Sequence, residues 1–177
     1  MALQPYSFEP TINDIDSNFN PMLFSNEFSN TNVSIENRSL KPVSEWCLSE
    51  KCISLNTDRK CVCCIEFENL QKLCPDKKCI TLNKSFSKII LDEEILNITR
   101  QQMIVKTKNR NKRNNLLMFN NKTWRFVCYK QFTHWVNSWS KLGKVIIPSC
   151  VVHKIRETYP ESNGNYVGFR DSNVLSS

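Results

Sequence analysis

Seven cysteines lie between Cys47 and Cys79, namely Cys47, Cys52, Cys61, Cys63, Cys64, Cys74 and Cys79, and two more, Cys128 and Cys150, stand alone further along. A structural zinc ion takes four thiolates in a tetrahedron at ~2.3 Å, and cysteines clustered in one stretch supply several of them together. Neither Cys47/Cys52 nor Cys74/Cys79 has the two-residue gap of a zinc knuckle. The adjacent Cys63 and Cys64 do not easily hold one ion, because neighbouring side chains on an extended backbone point apart. They can serve two. Two four-coordinate ions that share a bridging thiolate need seven ligands, and eight cysteines remain once Cys128 is assigned to a helical core. The count favours a dinuclear zinc cluster over reduced structural thiols or disulfides.

Other chemistry has little support. The chain has no Gly-rich phosphate loop and no His-Glu-x-x-His zinc helix, and its only histidines are His134 and His153. A cysteine nucleophile needs an electropositive, partly exposed setting with a base, whereas a metal-bound thiolate is already occupied. The expectation is a protein that is not an enzyme.

The cysteines must be positioned by the rest of the chain. Residues 1–45 hold six acidic residues against Arg38 and Lys41, a net of −4, while the remainder holds 22 basic against 11 acidic residues. This N-terminal stretch is rich in Asn, Ser and Pro and shows no apolar period, so it reads as a disordered acidic tail. Within it Tyr6, Phe8, Phe19, Met22, Leu23, Phe24 and Phe28 are scattered among polar and acidic residues, as in short docking segments. Trp46–Cys79 has little periodicity and reads as irregular backbone organised around metal. Phe86–Val105 carries Phe86, Ile89, Ile90, Ile95, Leu96 and Met103 at roughly helical spacing, with Ser85 as a cap. Lys106–Arg113 reads as an exposed basic loop or frayed helix end. Trp124, Cys128, Phe132, Trp135 and Trp139 recur at three- or four-residue steps over Thr123–Trp139, the stripe of a second helix. Val145–Ile147 reads as a short strand, and Pro148 with Ser149 opens a third helix through Thr158. Beyond Tyr159 the chain turns on Pro160 and Gly164. The expected fold class is α+β: a small, irregular, zinc-stabilised domain of about three helices and short strands over residues 46–170, with 171–177 a flexible C-terminus.

Several pieces in order carry a resemblance: Trp46-Cys47, Cys61-Val-Cys-Cys64, Cys79-Ile-Thr81 followed by Phe86, and the aromatic run Trp124 to Trp135. Ile147-Pro-Ser-Cys-Val-Val152, Ile155-Arg156, Tyr159-Pro160 and Tyr166-Val-Gly-Phe169 complete it. Together they resemble the intracellular, or ballast, domain of the P2X purinoceptors of subtype seven over about Trp46 to Arg170. The resemblance implies a compact mixed fold, a dinuclear centre of cysteine thiolates, and a guanine-nucleotide site without a Gly-rich loop. It places Cys52, Cys63, Cys64, Cys79 and Cys150 at family metal positions. Ser49 stands where the family has a cysteine, so either Cys47 or Cys61 fills that place, with Cys74 in reserve, or one ion binds weakly. For the nucleotide, Arg125, Tyr129 and Ile147 match family contact positions. Glu161, Val152 and Phe126 replace basic groups or a histidine there, and the site is weakened accordingly.

The expected function is a non-enzymatic, zinc-binding regulatory or interaction module with an unidentified protein partner, binding GDP or GTP weakly. The alternative is a zinc-dependent protein associated with nucleic acid, with Arg100 and the Lys106–Arg113 run on phosphates. No stretch approaches the ~18 uninterrupted apolar residues of a spanning helix, and the N-terminus lacks a secretory pattern. The expected location is the cytoplasm, with the nucleus as the alternative, and the nine cysteines are expected to be thiols or metal thiolates in a reducing compartment.

Overall fold

The computed structural model of the chain describes residues 36–137, 147–164 and Tyr166. Its helices are α1 (Glu68–Gln71), α2 (Lys84–Phe86), α3 (Glu93–Lys106), α4 (Arg110–Leu117), α5 (Asn121–Val136) and α6 (Ser149–Thr158). Short 3-10 turns at Val43–Glu45, Asp58–Lys60, Cys64–Glu66, Pro75–Lys77 and Ile80–Leu82 carry the cysteine-rich part.

The α+β expectation is overturned, because the described residues contain helices and turns and no strand. In the cysteine-rich part, local turns such as Lys60 N–H to Thr57 O at 2.9 Å and Leu82 N–H to Cys79 O at 3.0 Å satisfy backbone groups that a ladder would otherwise pair. Of the expected strand, Val145 and Ile146 lie outside the described residues, and Ile147 sits in the non-helical link before α6. Trp139, Gly143, Phe169 and the segments 1–35 and 171–177 also lie outside them.

The long helix expected over Phe86–Val105 is divided. Asn83, not Ser85, caps its first part by accepting from Ser85 N–H at 2.8 Å, and α2 runs on into a π turn at Ser87–Leu91. Asp92 then starts α3 afresh, its Oδ1 accepting from Glu94 N–H at 3.0 Å and Ile95 N–H at 3.1 Å. Those bonds satisfy donors that every helix start leaves open. The basic run is helical as well: the Asn109 side chain accepts from Lys112 N–H at 3.0 Å and opens α4.

Helix α5 is the central post. Its Val127, Cys128 and Phe132 are fully buried with Phe86, Ile90, Leu96, Leu116 and Ile155. Phe86 meets the Phe132 and Trp135 rings edge-on at 6.4 and 6.3 Å. Polar ties fix the helix pairs: Thr99 Oγ1 to Gln131 Oε1 at 2.9 Å joins α3 to α5, and Tyr159 donates to Leu91 O at 3.1 Å. Arg100 is also internal. It donates to Leu116 O at 2.9 Å and to Asn97 Oδ1, with the Phe119 ring 4.0 Å above it. At 1% exposure Arg100 does not face a phosphate in solution.

Residues 36–45 are held to the domain. Arg38, 4% exposed, makes a two-oxygen ion pair with Glu66 at 2.9 and 2.8 Å and donates to Cys61 O at 3.1 Å. Asp58 accepts from the N–H groups of Asn37 and Ser39 at 3.0 and 2.8 Å.

Candidate metal centre

Two features of the cysteine-rich part bring its thiols together. Glu66 accepts from Cys63 N–H at 2.8 Å, closing the turn that sends the Cys63 and Cys64 sulfurs in different directions. The start of α6 is then clipped on: Ser149 N–H donates to Val62 O at 2.9 Å, and the Ser149 hydroxyl accepts from Ile53 N–H at 3.0 Å while donating to Ile53 O. The next residue, Cys150, is thereby carried into the cluster from the far end of the chain.

The result is two groups of three buried sulfurs. Cys47, Cys52 and Cys63 form one, and Cys64, Cys79 and Cys150 the other, with the sulfurs of each group within 4.8 Å of one another. The Cys47–Cys63 and Cys64–Cys79 separations are both 3.9 Å. Two thiolates on one tetrahedral ion at ~2.3 Å sit ~3.8 Å apart, so these spacings suit the edges of such a tetrahedron. They are far longer than the ~2.05 Å of a disulfide, and all nine cysteines are free. The donor set fits zinc.

A fourth sulfur stands beside each group. Cys74 lies 3.9 Å from Cys64. Cys150, itself in the second group, also faces Cys52 of the first, which places it between the groups. Cys61 joins neither: its sulfur accepts from Leu55 N–H at 3.2 Å and donates to Leu55 O at 3.4 Å. Ser49 stands at the first group with its hydroxyl 3.5 Å from the Cys47 sulfur. Further donors face the sulfurs, Thr81 Oγ1 reaching Cys79 at 3.1 Å and Ile80 N–H reaching Cys64 at 3.4 Å.

The thiols polarise one another. The Cys52 thiol, with that of Cys64, pulls Cys63 far below its ordinary value. Hydrogen bonds with Cys150 and Cys64 do the same for Cys79. Cys150 is pushed far up by its bonds with Cys52, Cys64 and Cys79, and by burial. Cys128 differs: burial raises its thiol far above the ordinary value in an apolar setting.

The residues expected at a nucleotide lie elsewhere, on α5 and around α6. Arg125 is buried, donates to Tyr159 O at 2.8 Å and pairs directly with Glu161. The Tyr166 ring lies between two guanidinium groups, 5.1 Å from Arg125 and 4.2 Å from Arg156. Burial raises the half-buried Tyr129, with Arg156 and Arg125 acting in the opposite sense. Ile147 is half-buried and packs against the core. Arg125 is thus committed to the partly exposed carboxylate of Glu161, which neutralises much of the cation it could offer to a phosphate.

Arg38, Glu66 and Ser149 were not legible as parts of the cluster. Only the Cys63/Glu66 spacing carries a signal, a helix-start residue followed three positions later by an acceptor.

Among the described residues no helix is long and apolar enough to cross a membrane. Rat (Rattus norvegicus) P2X purinoceptor 7 is 29% identical over 136 residues, covering 71% of this chain, and the chain spans 20% of that relative's length. No solved structure matches. The family profile of the P2X purinoreceptor 7 intracellular domain matches residues 12–170, most of the sequence, and the chain belongs to that family.

Proposed function

We propose that this is a non-enzymatic, cytoplasmic regulatory or interaction module whose fold is held by two zinc ions. The observation that carries the reading is the pair of buried three-sulfur groups with a further cysteine beside each. One ion takes Cys47, Cys52, Cys63 and Cys150. The other takes Cys64, Cys74, Cys79 and the same Cys150, so that seven thiolates serve two tetrahedra through one bridge. Cys74, rather than Cys61, completes the set. Bound zinc supplies charge neutralisation for these thiolates and cross-links turns that have little apolar core of their own. Native mass spectrometry with elemental analysis of freshly purified protein is expected to find two zinc ions per chain. One ion or none overturns the reading.

Guanine nucleotide is a weak ligand at most, because Glu161 competes for Arg125. The substitution Glu161→Lys removes that competitor and adds a cation, and is expected to tighten guanosine diphosphate binding by about tenfold, whereas Arg125→Ala weakens it. Calorimetric titration of the three proteins checks this, and unchanged binding in both variants places any nucleotide elsewhere. Nucleic acid is a second reading favoured by one observation: Arg110 and Arg113 stand exposed on helix α4, an ordered basic face. Affinity for mixed RNA that falls steeply with salt supports that reading.

A further inference from the structure

Three consecutive apolar residues stand exposed where α4 ends: Leu117 at 52%, Met118 at 60% and Phe119 at 71%. The other exposed large apolar residues, Leu40, Leu48, Leu82, Ile98 and Val105, are isolated in the sequence, which is ordinary for a protein surface. An exposed run of three is a fault in a surface unless it has a use. The run is also held in place. Leu116 is fully buried, its carbonyl accepts from Arg100 at 2.9 Å, and Met118 N–H donates to Asn115 O at 3.3 Å where the helix closes. The Phe119 ring rests on the Arg100 guanidinium at 4.0 Å and meets Trp124 edge-on at 6.0 Å, yet most of it faces water.

Charge frames the run. Arg110, Arg113 and Leu117 are three and four residues apart on α4, so they share one face, and all three are exposed. Lys106 and Lys108, also exposed, continue the positive charge just before the helix. Among the described residues none of these four cations is in an ion pair. The sequence around them supplies no counter-charge, since no Asp or Glu occurs from Ile95 to Arg156.

We infer that this face of α4 and the Leu117–Phe119 run together form a docking surface for an anionic membrane, with the cations on lipid headgroups and the apolar side chains among the upper acyl carbons. Charge complementarity selects the occupant. Unpaired cations call for a negative surface, and the adjoining apolar run calls for one with hydrocarbon beneath it. Nucleic acid meets only the first requirement, and a second copy of the chain would bring like charge against these cations. With eight residues α4 lies on such a surface and does not span it.

The test is sedimentation of the full chain with vesicles of phosphatidylcholine alone or with about a third phosphatidylserine. Binding is expected only to the serine-containing vesicles, and is expected to weaken as salt is added. Arg110→Gln/Arg113→Gln is expected to weaken it about thirtyfold, the equivalent of ~2 kcal/mol for two cations near the surface. Leu117→Gln/Met118→Gln is expected to weaken it about tenfold. Should that variant lose its helical circular dichroism, Leu117→Trp replaces it and is expected to tighten binding about fivefold, because it enlarges the apolar run with a side chain suited to the interface. No binding to the serine-containing vesicles overturns the proposal. Unchanged affinity in the Leu117 variants overturns it too, since adhesion is then by charge alone. Mixed RNA that displaces the vesicles, and binds Leu117→Gln/Met118→Gln as tightly as the unmodified chain, assigns the face to nucleic acid instead. Light scattering that finds a dimer made monomeric by Leu117→Gln/Met118→Gln, without vesicle binding, assigns it to a second copy and likewise overturns the proposal.

Discussion

Cys150→Ala is expected to strip the protein of both metal ions and to lower its Tm by roughly 20 °C, an effect on the order of 5 kcal/mol for a domain of this size. Cys150 belongs to the second sulfur group and also faces Cys52 of the first, so on the proposed two-ion reading its removal takes a ligand from each tetrahedron. The turns that carry the other cysteines then lose their cross-links while retaining only a thin apolar core around Val62, Leu70 and Ile80. Cys64→Ala is expected to act in the same direction through the second group. Cys128→Ala provides the contrast. Its sulfur is buried at α5 with Val127 and Phe132 and belongs to neither group, so only a small cavity results, at about 1 kcal/mol. Scanning calorimetry with metal analysis of the three variants decides, and Cys128→Ala proving the most disruptive would falsify the division between ligand and core cysteines.

Glu66→Ala is expected to destabilise the protein by about 3–5 kcal/mol, because it leaves Arg38 as a buried cation without its counter-charge. The side chains of the pair are 5% and 11% exposed, and Glu66 also accepts from Cys63 N–H, so the substitution loosens the turn that separates Cys63 from Cys64. Replacing both partners, as Arg38→Met/Glu66→Met, removes the uncompensated charge and is expected to recover most of that loss. The Lys154–Glu157 pair sets the scale for an exposed bridge: at 42% and 60% exposure solvent screens it, and its removal is expected to change stability far less than Glu66→Ala does. Urea unfolding measures all of these. A Glu66→Ala effect no larger than that of the exposed pair would show that Arg38 finds water or another partner.

What the sequence determined by itself was whatever depends on near neighbours. The four-residue recurrence of Trp124, Cys128 and Phe132 placed α5, and Pro148-Ser149 placed the start of α6, because helical bonds and side-chain neighbours span three or four residues. The density of cysteines between Cys47 and Cys79 marked where the buried sulfurs gather, and the adjacency of Cys63 and Cys64 anticipated their separation into two groups. The order of its motifs was enough to identify the family. The basic run misled, because its charge outweighed a capping asparagine at Asn109 whose bond to Lys112 N–H opens a helix. Asp92 was passed over in the same way, and one expected helix became two.

Only the tertiary structure decided which sulfurs meet. Cys150 reaches Cys64 and Cys79 because Ser149 bonds to Val62 and Ile53, contacts between residues more than 80 apart in sequence that no local period encodes. The same long-range packing turns Cys61 onto Leu55, brings Cys74 to Cys64, buries Arg38 against Glu66 and pairs Arg125 with Glu161. Each of these depends on where separate turns and helices come to rest against one another. A cysteine two residues from a clustered one has the same local sequence signal whether its sulfur joins the cluster or turns onto a backbone carbonyl, and only the packed chain distinguishes them.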